Sequence, residues 1–190
     1  KSLFINATIT PDNPYIGSQA TYTMQLFYKR NVQNAQLSPP SSPDAEFVQL
    51  GDDQNYRKTI DNEVYQVLER QYAVIPQQSG EITLEPAFLT GDMATENDDV
   101  FSGSFFTLPG QPVRITGKPM MLKVRPKPAA VDNTQWWLPA KKVTLSEQWS
   151  TPLSELKVGE PVTRTITIEA EGVMAEQLPD VAIPTFSTLQ

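Results

Sequence analysis

Four carboxylates, Asp92, Glu96, Asp98 and Asp99, stand close together in the sequence with no basic residue between them. A hard cation needs clustered oxygen ligands, so one reading of Glu96-Asn97-Asp98-Asp99 is a calcium loop. The spacing is not that of an EF-hand and no glycine stands at a sharp turn, so a solvated acidic loop is the plainer reading. Asp52-Asp53, in an expected turn after Gly51, makes a weaker case of the same kind. No resident metal and no cofactor is expected from these residues.

Paired carboxylates can also hydrolyse glycosides when they face each other about 5 to 9.5 Å apart, and tryptophans commonly supply the sugar platform. Trp136, Trp137 and Trp149 invite that comparison. All three lie around a proline-rich connector and the strand after it, where aromatic rings more often bury against a neighbouring domain, so interdomain contact is the expectation for them. Glu69 and Arg70 are adjacent in a strand pattern and so point to opposite faces. A cross-strand ion pair is expected for each. Neither histidine nor cysteine occurs, which excludes a Ser-His-Asp triad, a thiol nucleophile, a disulfide and the usual zinc, haem or iron–sulfur sites. No GxSxG, GxGxxG or GxxxxGK[ST] pattern is present either. The expectation is a protein that is not an enzyme.

The charge points the same way. Fifteen basic against 22 acidic residues leave a net −7, which repels a phosphate backbone over most of the surface, so nucleic acid is not an expected partner. No window approaches the run of about 18 apolar residues that spans a bilayer, and no membrane contact is expected of this segment. With no leader before Lys1 and a strand-like pattern still running at Gln190, the chain reads as a piece lacking its targeting and anchoring parts.

The elements that must carry these residues are strands. Seventeen prolines spread through 190 residues leave little room for long helices. Leu3, Ile5, Ala7 and Ile9 alternate with Phe4, Asn6 and Thr8, and after the Pro11-Asp12-Asn13-Pro14 turn Tyr22, Met24, Leu26 and Tyr28 share one face of the strongest strand. Ser38-Pro39-Pro40-Ser41-Ser42-Pro43 reads as a loop. Phe47, Val48 and Leu50 restart a strand. Val64 to Ile75 is nearly continuous β former, and after Gln78-Ser79-Gly80 the residues Ile82, Leu84 and Phe88 resume the alternation, so these two are expected to be adjacent antiparallel strands. Beyond an irregular stretch from Gly91 to Gly110, Val113 and Ile115 precede a last strand with Met120, Leu122 and Val124 on one face. Such a series predicts an all-β, immunoglobulin-like β-sandwich over residues 1–126, followed by a linker over 127–140 that starts in Lys127-Pro128.

An internal repeat extends the picture. Ile16 to Leu26 overlays Val158 to Ile168, matching Gly17 with Gly159 and Thr21 and Thr23 with Thr163 and Thr165. Residues 141–190 are therefore expected to be the first part of a second, similar domain. Its inner face, with Val162, Ile166 and Ile168, lacks a partner sheet, and apolar strands with free edges seek other chains.

Several segments, in order, resemble the BatD family of bacterial oxygen-tolerance (aerotolerance) proteins. They are Pro14-Tyr15-Ile16-Gly17, Tyr22 to Leu26, Glu69 to Tyr72 leading to Pro76-Gln77-Gln78-Ser79-Gly80, and Val124-Arg125-Pro126-Lys127-Pro128. Trp137-Leu138-Pro139-Ala140, Glu147-Gln148-Trp149 and Val158 to Arg164 complete the set. The resemblance covers nearly the whole chain and is least between Asp92 and Gly110. It implies a cell-envelope protein on the periplasmic face of the inner membrane, exported by a signal, with tandem sandwich domains and a later membrane-spanning helix. It also implies an assembly with von Willebrand factor A-type proteins and a MoxR-type ATPase. No catalytic residues carry over. The expectation is a protein-interaction module, with Asp92, Glu96, Asp98 and Asp99 offering a carboxylate to the open metal position of a von Willebrand A-type partner. The rival reading is a carbohydrate-binding or adhesive sandwich; an enzyme ranks third.

Overall fold

The computed structural model describes residues 1–93, 110–131 and 136–181, and every structural statement below concerns these. The chain divides into two units, residues 1–126 and 127–190. Both are built from antiparallel strands.

In the first unit, Leu3–Thr10 (β1) pairs with Ala20–Tyr28 (β2), Leu3 opposite Tyr28 and Thr10 opposite Thr21. Period-two alternation sends Leu3 and Ile5 of β1, and Ala20, Tyr22, Met24 and Leu26 of β2, to one buried face. After Val32–Ser38 (β3) come Ala45–Ile60 (β4) and Glu63–Pro76 (β5), joined by Asp61-Asn62. Both turn residues have positive φ, 50° and 62°, the left-handed pair that a tight hairpin with the twist of its strands requires and that Asp and Asn tolerate. The resulting sheet has the order β1-β2-β5-β4.

Gly51-Asp52-Asp53, expected as a turn, is a bulge inside β4 instead. The register slips between Leu50 and Gln54, Gly51 takes φ +67°, and the strand runs on to Ile60 against Glu63. Its far half, with Gln54, Arg57 and Lys58, shows no clean alternation, which hid it in the sequence.

Gly80–Leu84 (β6), Phe88–Met93 (β7), Gln111–Thr116 (β8) and Met120–Val124 (β9) form the opposing layer. β6 pairs with β9, β7 with β8, and β3 adds to β7. The expected pairing of β5 with β6 does not occur. Both edges of β5 are already bonded, to β2 and to β4, so no ladder is left and the turn after Pro76 carries the chain to the other sheet. Pro86 and Pro119 stand at the breaks between β6 and β7 and between β8 and β9, with the Gly117 amide donating to the Ala87 carbonyl across them at 3.1 Å. The break also shifts phase. Ile82 and Leu84 are buried, then Ala87 and Leu89, whereas Phe88 turns outward beneath the Arg114 guanidinium at 4.1 Å.

One apolar cluster joins the layers, drawing on Leu3, Met24, Leu26 and Val74 from one side and Ile82, Leu84, Leu89, Leu122 and Val124 from the other. Each such side chain contributes about 1.5–3 kcal/mol by leaving water. A smaller cluster lies on the outer face of the four-stranded sheet, where Phe4 and Phe27 stack with ring centroids 4.7 Å apart beside Tyr65 and Val67. Two details are exacting. A Cβ on Gly91 would fall 2.5 Å from Val32 Cγ1 and 2.9 Å from the Gln33 carbonyl, where β3 bulges around Asn34 at φ +50°. The Tyr22 hydroxyl is buried without a hydrogen-bond partner; burial raises its pKa, and the nearby Ala87 backbone lowers it by less.

In the second unit, Lys142–Trp149 (β10) pairs antiparallel with Arg164–Glu171 (β11), repeating the β1–β2 arrangement. Short 3-10 turns follow at Leu153–Glu155 and Ala175–Gln177. Ile166 and Ile168 take the places of Met24 and Leu26 in the repeat but are only half-buried, and Leu145 opposite Ile168 is 68% exposed.

All six tyrosines lie in the first unit and all three tryptophans in the second, so the two can be followed separately. Gly91→Ala should cost the first unit about 2–3 kcal/mol, by forcing β3 off β7. Tyr22→Phe should stabilise it by about 1 kcal/mol, by removing an unpaired buried hydroxyl. Urea unfolding followed by tyrosine fluorescence measures both, and a destabilised Tyr22→Phe variant would refute the reading of that hydroxyl.

Candidate functional site

Among the acidic residues singled out by sequence, Asp92 lies on β7, where its carboxylate accepts a hydrogen bond from Asn34 Nδ2 at 3.0 Å. Glu96, Asp98 and Asp99 lie outside the described residues. Among those described, no group of three or more Asp and Glu side chains gathers into a metal-binding cluster, and no helix is long and apolar enough to cross a membrane.

The tryptophans differ in their surroundings. Trp136 is 63% exposed and Trp137 half-buried, while Trp149 ends β10 with the Arg164 guanidinium 5.5 Å from its ring centre. Arg164 sits directly opposite Trp149 in the ladder and donates to Glu147 Oε1 at 2.8 Å, so that ring is engaged by its own sheet. Among the described residues of the second unit, no hydrophobic side chain belongs to the buried core.

Glu69 and Arg70 do point to opposite faces of β5, and they do different work. Arg70 forms a two-pronged pair with Asp53 at 2.6 and 2.7 Å, which the β4 bulge makes possible by carrying Asp53 past the slipped register. The Arg70 guanidinium holds the Asp53 carboxyl below the usual carboxylate range against the opposing effect of burial, and Asp53 in return raises Arg70. Among the described residues Glu69 makes no ion pair, contrary to expectation. Its Oε2 accepts from Gln25 Nε2 at 2.9 Å and from the Tyr56 hydroxyl at 2.7 Å, and Gln25 also donates to that hydroxyl at 2.8 Å. These donors, Gln25 first, depress the Glu69 carboxyl, while burial and the Glu69 charge raise the Tyr56 phenol. The triangle bridges β2, β4 and β5 and holds the sheet's outer face together.

Three of the segments behind the family resemblance meet at one junction. The Gly17 amide donates to the Pro76 carbonyl at 2.9 Å, and Tyr15 bridges Arg125 in a parallel pairing. The Arg125 guanidinium lies 3.9 Å from the Tyr15 ring centre and donates to the Asn13 carbonyl at 2.8 Å. This geometry ties the chain after β1 to the end of β9. These residues are thus a structural lock, which separation in sequence concealed. The basic groove described below was missed as well, because its members are scattered from Lys1 to Lys118. No family model matches the chain, and no curated protein matches it either.

Asp53 and Glu69 both have folded-state pKa values below their unfolded ones, so their contribution is full above the unfolded values near 4 and is lost as pH falls through the lower folded values. Asp53→Asn should cost about 1 kcal/mol at pH 7, where the partly exposed pair is discounted for solvent screening. The gap to the parent protein should close as pH drops towards 2. Urea midpoints from tyrosine fluorescence at pH 7, 4 and 2.5 check this; a gap that widened in acid would overturn the assignment.

Proposed function

We propose that the chain is a non-catalytic protein-docking module of a BatD-like envelope protein, working on the periplasmic face of the inner membrane. Its first unit is read as an immunoglobulin-like domain. The order β1-β2-β5-β4 in one layer and β3-β7-β8 in the other is that of seven-stranded immunoglobulin-type sandwiches, with β6–β7 and β8–β9 each counted as one broken strand. The second unit is read as the opening strands of another such domain, on the strength of the repeated antiparallel pair.

The observation that carries the docking reading is the open face of β10–β11. Val143 and Leu145 are exposed and Ile166 and Ile168 half-covered, along a two-stranded ladder with both outer edges unpaired among the described residues. Apolar strand surface of this kind is stabilised by another polypeptide. The ionised groups brought together in the first unit support the same reading, since Arg70 with Asp53, and Glu69 with Gln25 and Tyr56, are consumed in holding strands. The proposed partners are von Willebrand factor A-type proteins of a MoxR-linked assembly, with Asp92, Glu96, Asp98 and Asp99 as the acidic contact.

Calorimetric titration of the chain with a von Willebrand A-type partner in magnesium tests the proposal. Replacing the four acids by their amides should weaken binding at least about tenfold and remove its dependence on magnesium; Leu145→Asp with Ile168→Asp should weaken it without altering that dependence. Unchanged affinity in both variants would refute the docking reading.

A further inference from the structure

β1 closes one edge of the four-stranded sheet and β8 one edge of the three-stranded sheet, and the two edges flank a groove of about 510 Å³ that is open to solvent. Leu3, Ile5 and Ile115 supply its apolar floor, and among the described residues its charged lining is cationic, from Lys1, Arg114 and Lys118. On a chain of net charge −7 this is a local reversal of sign. Arg114 and Lys118 are exposed and form no ion pair with a carboxylate among the described residues.

The neighbouring half of the same edge shows what it accepts. Beside β9, residues Asp12 to Ile16 run parallel to the strand: the Lys123 amide donates to the Asp12 carbonyl at 2.9 Å, Arg125 to Pro14 at 2.8 Å, and Ile16 back to Arg125 at 2.9 Å. The protein thus covers the β9 half with an extended piece of its own chain. Among the described residues no segment pairs with the β8 half, and because Pro112 offers no amide hydrogen, the unbroken run of backbone donors in β8 is Val113 through Thr116. An open trough with an apolar floor and cationic rim suits a threaded polypeptide better than an enclosed small molecule.

We infer that this groove docks an extended acidic segment of a protein partner, laid beside β8 in the direction that Asp12 to Ile16 takes beside β9. Its apolar side chains lie towards Leu3, Ile5 and Ile115 and its carboxylates towards Arg114 and Lys118. The inference rests on the docking reading above and adds the surface and the chemistry of what it holds.

The probe is a fluorescein-labelled heptapeptide alternating glutamate with valine, titrated into the full chain by anisotropy, with isotope-labelled protein reporting amide shifts. Shifts confined to Val113–Thr116 and the start of β1, and affinity at least about tenfold weaker in Arg114→Glu/Lys118→Glu, are the expected results. Lys118→Glu alone, at an exposed site outside the strands, should weaken binding in part while leaving the unfolding midpoint unchanged. Equal binding of a peptide with lysine in place of glutamate, or shifts elsewhere, would overturn the inference. Binding to phosphatidylglycerol vesicles with the same sensitivity to the double substitution, and no peptide binding, would overturn it in favour of a lipid headgroup. If the double variant binds the von Willebrand A-type partner normally and no peptide binds, the groove falls while the docking reading stands.

Discussion

The first unit depends on a single requirement: the inner face of β2 has to be covered. Tyr22 and Met24 have no exposed surface, Leu26 almost none, and what hides them is the β6–β9 ladder carrying Ile82, Leu84, Leu122 and Val124. Ordering backbone costs about 1–2 kcal/mol per residue, so a strand pair with one bare apolar face does not repay its own entropy. The chain supplies both situations. β1–β2 finds its cover within the first 126 residues, whereas β10–β11, built on the repeated sequence, leaves Leu145 exposed and Ile166 and Ile168 half-covered. The docking proposed for the second unit would therefore be the same physics as folding in the first, with the covering layer missing from the described residues.

Covering the face requires the chain to change sheets, and residues that cannot continue a ladder mark several of those changes. β5 is saturated on both edges, so the chain leaves it at Pro76 for β6 in the other layer. Pro11 ends β1, after which residues 12–16 turn from β2 to β9 and are held there by Arg125. Pro86 and Pro119 interrupt the second layer and let Ala87 and Leu89 take over the inward phase from Ile82 and Leu84. The high proline content marks these switches in addition to excluding long helices.

This distinction explains what the sequence made legible. Leu3, Ile5, Tyr22, Met24 and Leu26 announced their face because a half-buried strand writes its burial as strict alternation, and Leu122 and Val124 did the same. Phe88 misled because a proline break shifts phase without leaving an irregularity in hydrophobicity. The far half of β4 was invisible because its strand character comes from pairing with β5 and not from an apolar stripe. Pairing partners were harder still: β5 and β6 are consecutive and strongly patterned, yet whether they bond depends on which edges other strands have already taken. At the candidate sites, opposed directions for Glu69 and Arg70 followed from adjacency alone. Their partners did not, since Asp53 reaches Arg70 only through a bulge and Gln25 reaches Glu69 only across a ladder.

Charge shows where recognition and architecture separate. Arg70 and Arg125 are both committed to the first unit, one to Asp53 and the other to the Asn13 carbonyl and the Tyr15 ring, so replacing either loosens strands before it touches any partner. Arg114 and Lys118 differ: exposed at an edge that no described strand pairs with, they make no ion pair among the described residues, and Arg114 spends its face on Phe88 while its charge stays at the groove. Stacking a guanidinium on an aromatic ring leaves its edge free to donate to a carboxylate, and the ring limits the side-chain freedom lost when it does so. An edge strand exposed beside apolar floor would ordinarily invite indiscriminate pairing; Pro112 and the two cations narrow what it accepts by backbone geometry and by sign. The features that protect this edge from self-association are thus the ones that give it a preference, and on an otherwise acidic chain that preference is for a partner segment with negative charge.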